Sequence, residues 1–246
     1  MVPSALSAYK LKKEWQRDFT VDQPAELVIR NANGNIEVEA WDKSEISVIA
    51  KIQIKAPSKT KAEELYEKLK FDVDASSARV AIEADRPRIR QVWFGLGGHT
   101  SIRIRYYVMV PRQTGLKLKT TNGSIEARGV RGAFDLETVN GGIDLLEGGG
   151  EGRLKSVNGG IKCHLDEFYE NGDLQAKTTN GSIKIRLPED AGAELDAKTI
   201  NGSVRLDFNL SGDVRIKRSR VSGRLGAGGG NIELRATNGT ISLKRI

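Results

Sequence analysis

The chain has 246 residues, 38% apolar and 29% charged, with a net charge of +7. That balance excludes a disordered tail, and no run approaches the roughly 18 consecutive apolar residues of a membrane-crossing helix. Glycine is uneven: 22 of the 27 residues follow Gly115, which excludes long helices there, since each helical glycine costs about 1 kcal/mol against alanine.

The positive excess is shared almost evenly by the two halves, so neither is devoted to a polyanion and nucleic acid is not an expected partner. Met1–Ser7 is too short for the apolar part of a signal peptide. An exported form would need a leader outside this sequence. Residues 1–18 read as an N-terminal extension and 19–115 as a non-repetitive β region.

Strict alternation predicts strands. Ile46, Val48, Ala50, Ile52 and Ile54 make one apolar face, and Ile102, Ile104, Tyr106, Val108 and Val110 another. Leu27–Ile29, Ile36–Ala40, Phe71–Ala75 and Val80–Ala84 are shorter strands, with Asn33-Gly34 between the first two as a tight turn. One helix is predicted over 61–70. Thr60 would be its N-cap and Glu63 would complete a capping box, with Ala62, Leu65, Tyr66 and Leu69 on the covered face.

Between two predicted strands lies a segment that holds Arg86, Arg88, Arg90, Trp93 and Phe94. Guanidinium groups interleaved with aromatic rings make it the first candidate for ligand or partner binding, by stacking or by contact with anions. Packing of Trp93 and Phe94 as a cap on the repeat is the competing reading.

From residue 116 onward the chain repeats itself. The pairs Asn122-Gly123, Asn140-Gly141, Asn158-Gly159, Asn180-Gly181, Asn201-Gly202 and Asn238-Gly239 are spaced 18, 18, 22, 21 and 37 residues apart. Arg220–Leu225 reads as a decayed copy in the long interval, and Asn33-Gly34 as an outlying one. Each unit runs apolar-x-apolar-x-Thr-x-Asn-Gly-x-Ile-x-apolar. Parity reverses across Asn-Gly, so two short strands meet at a corner with both apolar faces inward. Glycine would supply a positive φ at that corner.

A hairpin meander would not explain why one residue set recurs at every corner. A stacked coil does, because like residues then lie above like at about 4.8 Å. The predicted fold is therefore all-β: a right-handed β-solenoid of about 6–7 coils over 116–246, continuous with the antiparallel region and its one short helix. The Asn and Gly positions are structural corners. Loops fall near Glu167–Glu170 and Pro188–Ala191.

The Asn-Gly copies, together with the opening Asn33-Gly34-Asn35-Ile36-Glu37-Val38-Glu39-Ala40-Trp41-Asp42, resemble the bacterial putative-adhesin family over about 19–246. That family is a domain of unknown function with β-solenoid repeats. The resemblance implies a bacterial, extracytoplasmic protein of the periplasm or cell surface, and it brings no catalytic residues.

Little chemistry is otherwise encoded. Cys163 stands alone at a core position, which excludes a disulfide framework. Solenoid glycan hydrolases and lyases need clustered carboxylates. The outward positions Glu126, Asp144, Lys162, Lys184, Arg205 and Glu233 instead mix signs, as a surface ladder does. The runs Gly148–Gly150 and Gly228–Gly230 lack the period and aspartates of calcium repeats. No catalytic residue, metal or cofactor is expected. Arg215, Lys217, Arg218, Arg220 and Arg224 form a second basic cluster.

The expected function is a non-enzymatic envelope scaffold or binding protein, with a protein or polysaccharide as partner. The alternatives are a carbohydrate-active enzyme on the same scaffold and a self-assembling intracellular scaffold. The final copy ends within a few residues of Ile246 without a cap, so its edge is expected to dock a second molecule.

Overall fold

The computed structural model describes residues 8–87 and 100–246. The first region contains β1 (Tyr9–Thr20), β2 (Ala25–Arg30), β3 (Ile36–Trp41), β4 (Glu45–Ala56), α1 (Lys59–Glu67), β5 (Lys70–Ala75), β6 (Arg79–Asp85) and β7 (Ser101–Pro111). Four coils follow: β8 (Thr114–Asn122) with β9 (Ile125–Arg128), β10 (Phe134–Asn140) with β11 (Ile143–Gly150), β12 (Gly152–Asn158) with β13 (Ile161–Phe168), and β14 (Asp173–Asn180) with β15 (Ile183–Leu187). A fifth coil is β16 (Ala193–Asn201) with β17 (Val204–Leu206). The hairpin β18 (Leu210–Lys217) and β19 (Arg220–Leu225) precedes the last coil, β20 (Gly230–Asn238) with β21 (Ile241–Arg245).

Two sheets result, one ordered β1-β4-β7-β3-β9-β11-β13-β15-β21-β17 and the other β18-β19-β16-β20-β14-β12-β10-β8-β2-β6-β5. Each coil contributes one strand to each sheet and turns between them at Asn-Gly. Ile36, Ile125, Ile143, Ile161, Ile183 and Ile241 stack down the interior of one sheet, all fully buried. Burying one such side chain contributes about 1.5–3 kcal/mol. Cys163 belongs to this interior, and burial pushes its thiol well above the usual range.

Asn33-Gly34 is itself a corner, since β2 and β3 lie in different sheets. The side-chain amides then form one continuous ladder. Asn122 donates to Asn33 at 2.7 Å, and Asn140 to Asn122, Asn158 to Asn140, Asn180 to Asn158, Asn238 to Asn180 and Asn201 to Asn238 at 2.8–2.9 Å.

A second ladder runs inside it. The buried hydroxyls of Thr120, Thr138, Ser156, Thr178 and Thr199 each donate to the corner glycine carbonyl of the adjoining coil, on Gly34, Gly123, Gly141, Gly159 and Gly239. Ala236 occupies this position in the coil next to Gly181, so that carbonyl lacks its hydroxyl. Ala236→Thr should add one hydrogen bond between threonines that already fit. The expected gain is about 1 kcal/mol, read in a thermal melt as a rise of about 2–4 °C for a chain of this size.

Two expectations about the corners change. Only Gly34 and Gly239 among them have φ between +20° and +160°. Glycine is needed instead because a Cβ at Gly123, Gly141, Gly159, Gly181 or Gly202 would lie 1.9–2.2 Å from the carbonyl oxygen of the neighbouring corner glycine. The coil order also departs from chain order. Arg220–Leu225 is not a decayed coil but β19, antiparallel to β16. This hairpin takes the outer edge of β16, and the chain returns to fill the slot between β14 and β16. The final strand β21 is thus paired on both sides, with β15 and β17. The uncapped C-terminal coil expected to dock a partner does not exist.

The helix starts earlier than the sequence suggests. Ser58 is the N-cap, accepting from the Lys61 N–H at 3.2 Å, so Thr60 and Glu63 form no capping box. Ala62 and Leu65 are buried against the core. Hydrogen bonds from Lys61 and Lys68 pull the Glu64 carboxyl down to about 2. No helix among the described residues is long and apolar enough to cross a membrane.

Candidate functional site

Three long antiparallel strands, β1, β4 and β7, extend one sheet beyond the coils. Their inward residues join the core: Trp15 and Phe19 on β1, Ile46 to Ile54 in alternation on β4, and Ile102 to Val110 on β7. Period-two alternation sends the other set outward. In register these form rows across the face: Lys12–Gln53–Arg103, Glu14–Lys51–Arg105, Gln16–Ile49–Tyr107 and Asp18–Ser47–Met109. Lys10 and Lys55 lie above the first row, and Glu45 lies below the last. The neighbouring strand β3 adds Glu37 beside Tyr107 and Glu39 beside Met109.

The face is therefore divided by charge. One end holds Lys10, Lys12, Lys51, Lys55, Arg103 and Arg105 with the carboxylate of Glu14 among them, and an open groove of about 420 Å³ lies among Lys12, Glu14, Lys51, Arg103 and Arg105. The other end holds Asp18, Glu37, Glu39 and Glu45, beside a groove of about 260 Å³ whose lining includes Glu37, Glu39, Ile49, Tyr107, Met109 and the pair Glu126 and Arg128. Among the described residues neither Glu14 nor any of the ten charges that define the two ends forms an ion pair. Lys51 Nζ sits 4.7 Å over the Tyr107 ring, and Ser47 donates to Asp18 at 2.6 Å.

The coils behave differently. Lys162 bonds Asp144 at 3.1 Å, Arg153 bonds Asp135, and Glu137 bridges Lys119 and Lys155. Hydrogen bonds led by Lys155 hold the Glu137 carboxyl below its ordinary range. Glu126 and Asp144 are adjacent, as the repeat predicts. Each has a cation near, Arg128 at 3.7 Å and Lys162. Glu233 is not in that column: it lies on β20 in the other sheet, 3.1 Å from Arg235. No three His, Cys, Asp or Glu among the described residues gather as a metal site.

The sequence candidates scatter. Arg88, Arg90, Trp93 and Phe94 lie outside the described residues. Arg86 points into the protein, half-buried, and donates to Asn31 Oδ1. Burial lowers its pKa and raises that of the neighbouring Tyr106. The second basic cluster divides too. Arg220 and Arg224 pair with Asp196 and Glu194, while Arg215, Lys217 and Arg218 remain exposed. The glycines of 148–150 lie in a strand, where a Cβ at Gly150 would meet Gly132 O at 2.2 Å. They serve close coil approach.

The divided face escapes sequence reasoning because β1 falls in the segment that reads as an extension. Leu11, Trp15 and Phe19 share the inward parity of β1, but Lys13 and Arg17 occupy the inward positions between them, so strict apolar alternation is broken there.

Among solved structures, a putative cell adhesion protein from Clostridium sporogenes superimposes with a TM-score of 0.51 at 14% identity, over 95% of this chain and 100% of that one. A putative adhesin from Bacteroides fragilis matches at 13% identity over 95% and 97% of the two chains, with a TM-score of 0.32. No curated protein matches. The family model for Toastrack, DUF4097, covers residues 19–244, from the last two residues of β1 through every Asn-Gly corner to the last coil. With that span matched, the chain belongs to the Toastrack family, a domain of unknown function.

Proposed function

We propose that the protein acts by contact, as a non-enzymatic scaffold or binding protein of the bacterial cell envelope. The observation that carries this reading is the contrast between its surfaces. Along the coils the carboxylates that hydrolysis would need are held by cations, as Asp144 is by Lys162. Their asparagine amides are spent on coil-to-coil bonds. The β1–β4–β7 face instead leaves both signs of charge open on rigid, paired strands, which suits recognition of a partner. The cell adhesion protein with the same architecture supports an envelope location.

Two measurements test it. Incubation with acidic polysaccharides such as polygalacturonate should release no reducing ends. Fractionation of cells expressing the gene in its native host should place the protein with the envelope. Steady release of reducing ends would replace this reading by the enzymatic one, and a wholly cytosolic pool would end the envelope part.

A further inference from the structure

We propose that a row of cations on the outer face of the second sheet, running along the stack of coils, binds an extended acidic polysaccharide. This rests on reading the protein as one that acts by contact, and it uses a surface apart from the β1–β4–β7 face.

The row occupies the outward position three residues before each corner asparagine. In register, Lys155 of β12, Lys177 of β14, Arg235 of β20 and Lys198 of β16 lie side by side. Arg220 of β19 and Lys217 of β18 continue the line. Neighbouring strands are about 4.8 Å apart, so these six cations form a line of roughly 24 Å that no acidic residue interrupts. The line is absent from chain order: Arg235 stands between Lys177 and Lys198 only because β20 enters between β14 and β16. Like charges set directly opposite each other on paired strands cost stability. Among the described residues the carboxylates that reach the row are Glu137 on Lys155, Asp196 on Arg220 and Arg235, and Glu233 on Arg235, which leaves Lys177, Lys198 and Lys217 without an ion pair. A bound polyanion would supply the missing counter-charges.

What flanks the row selects the kind of polyanion. A groove of about 280 Å³ opens over Arg235, its lining including Lys177, Lys198, Ile200 and Thr237. Val157, Thr179, Thr237 and Ile200, each two residues on from a cation of the row, make an uncharged shoulder beside it, and Ile200 is 66% exposed. Sugar rings use both features. Their C–H faces rest on methyl groups, their hydroxyls meet threonine hydroxyls, and their carboxylates follow the cations. Single-stranded nucleic acid calls for aromatic side chains on which its bases stack. The shoulder holds none, and the row on the other side carries Arg153, Gln175, Glu233, Asp196 and Ser222. An anionic membrane would press a plane against the whole face, Glu233 and Asp196 included, whereas a single chain can track the cations alone.

The experiment is calorimetric titration of the full chain with polygalacturonate at low salt. Wild type should bind it, should not bind the same polymer with its carboxylates methyl-esterified, and should lose it at about 1 M salt, where screening acts over about 3 Å. Lys177→Glu/Lys198→Glu should weaken binding at least about tenfold, and Lys177→Arg/Lys198→Arg should keep it. Lys184→Glu/Lys244→Glu changes the net charge equally on the other sheet, at exposed positions, and should cost less than about twofold. All these side chains point outward, so circular dichroism should be unchanged. A wild type that does not bind overturns the proposal, as do equal losses in the two charge reversals or equal binding of the methyl ester. Tighter binding of poly(dT) or of phosphatidylglycerol vesicles, lost in Lys177→Glu/Lys198→Glu, overturns it in favour of that partner. A reducing-end assay on the same mixtures separates the two levels. Release of ends by a protein that binds through the row would end the non-enzymatic reading and leave the row as the place where the chain is held. Absence of both binding and release overturns the row alone, since the contact reading stands on the other face and on envelope fractionation.

Discussion

Gly159→Ala should prevent the protein from folding, whereas Gly160→Ala, one residue on, should be nearly silent. A Cβ on Gly159 would sit 1.9 Å from Gly141 O and 2.4 Å from its carbonyl carbon. Both atoms are backbone, and both are fixed by the coil hydrogen bonds, such as that from Gly141 N–H to Asn158 O at 3.1 Å. No rotamer change relieves such a contact. The two coils would have to part, which breaks the Asn140–Asn158 bond and opens the packing of Ile143 on Ile161. The combined cost exceeds the roughly 4–5 kcal/mol that marks an exceptional substitution, against a typical total stability of about 5–15 kcal/mol. At Gly160 the nearest atom to a Cβ is Ser182 O at 3.3 Å, and other corners already carry serine or threonine there, at Ser124, Ser182, Ser203 and Thr240. Urea titration and soluble yield separate the two. An unshifted urea midpoint for Gly159→Ala would show that coil spacing is slack at this corner.

That contrast also marks how far the amino-acid pattern carries. The corner asparagines, the inward threonines and the parity reversal are all visible in the chain, because each coil must satisfy the same backbone groups in the same way. The reason for glycine is not visible, since a backbone-to-backbone approach leaves no trace in one coil's own sequence. The position of the last coil is hidden for a similar reason. Nothing in Ala236–Ile241 distinguishes a coil stacked on β16 from one inserted before it, because both slots present the same asparagine ladder and the same apolar column. What decides is the hairpin β18–β19, whose antiparallel pairing occupies the other edge of β16. The divided face depends on long-range register too: Lys12 and Arg103 become neighbours only through Gln53.

Asn31→Ala should cost about 3 kcal/mol, the second largest effect expected of a single substitution here, and Arg86→Met should cost clearly less. Asn31 stands in the column of the inward threonines, next to Thr120, where the first coil meets the β7 strand. Its Nδ2 donates to Gly34 O and Ile104 O, both at 2.9 Å, and its Oδ1 accepts from Arg86. Removing it leaves a buried carbonyl without its donor, at about 1–3 kcal/mol. It also strips a half-buried guanidinium of its acceptor, and a charge left unpaired away from water is the costlier loss. Arg86→Met takes away the charge together with the need to solvate it, so the remaining penalty is one lost bond to Asn31. The double variant should therefore be only slightly less stable than Asn31→Ala alone or even recover part of the loss, a non-additivity that a double-mutant cycle in urea reads directly. Strict additivity would mean that Arg86 finds another acceptor when Asn31 is gone. It would return Arg86, placed here as an internal strut between the first coil and β7, to the set of arginines free to meet a ligand.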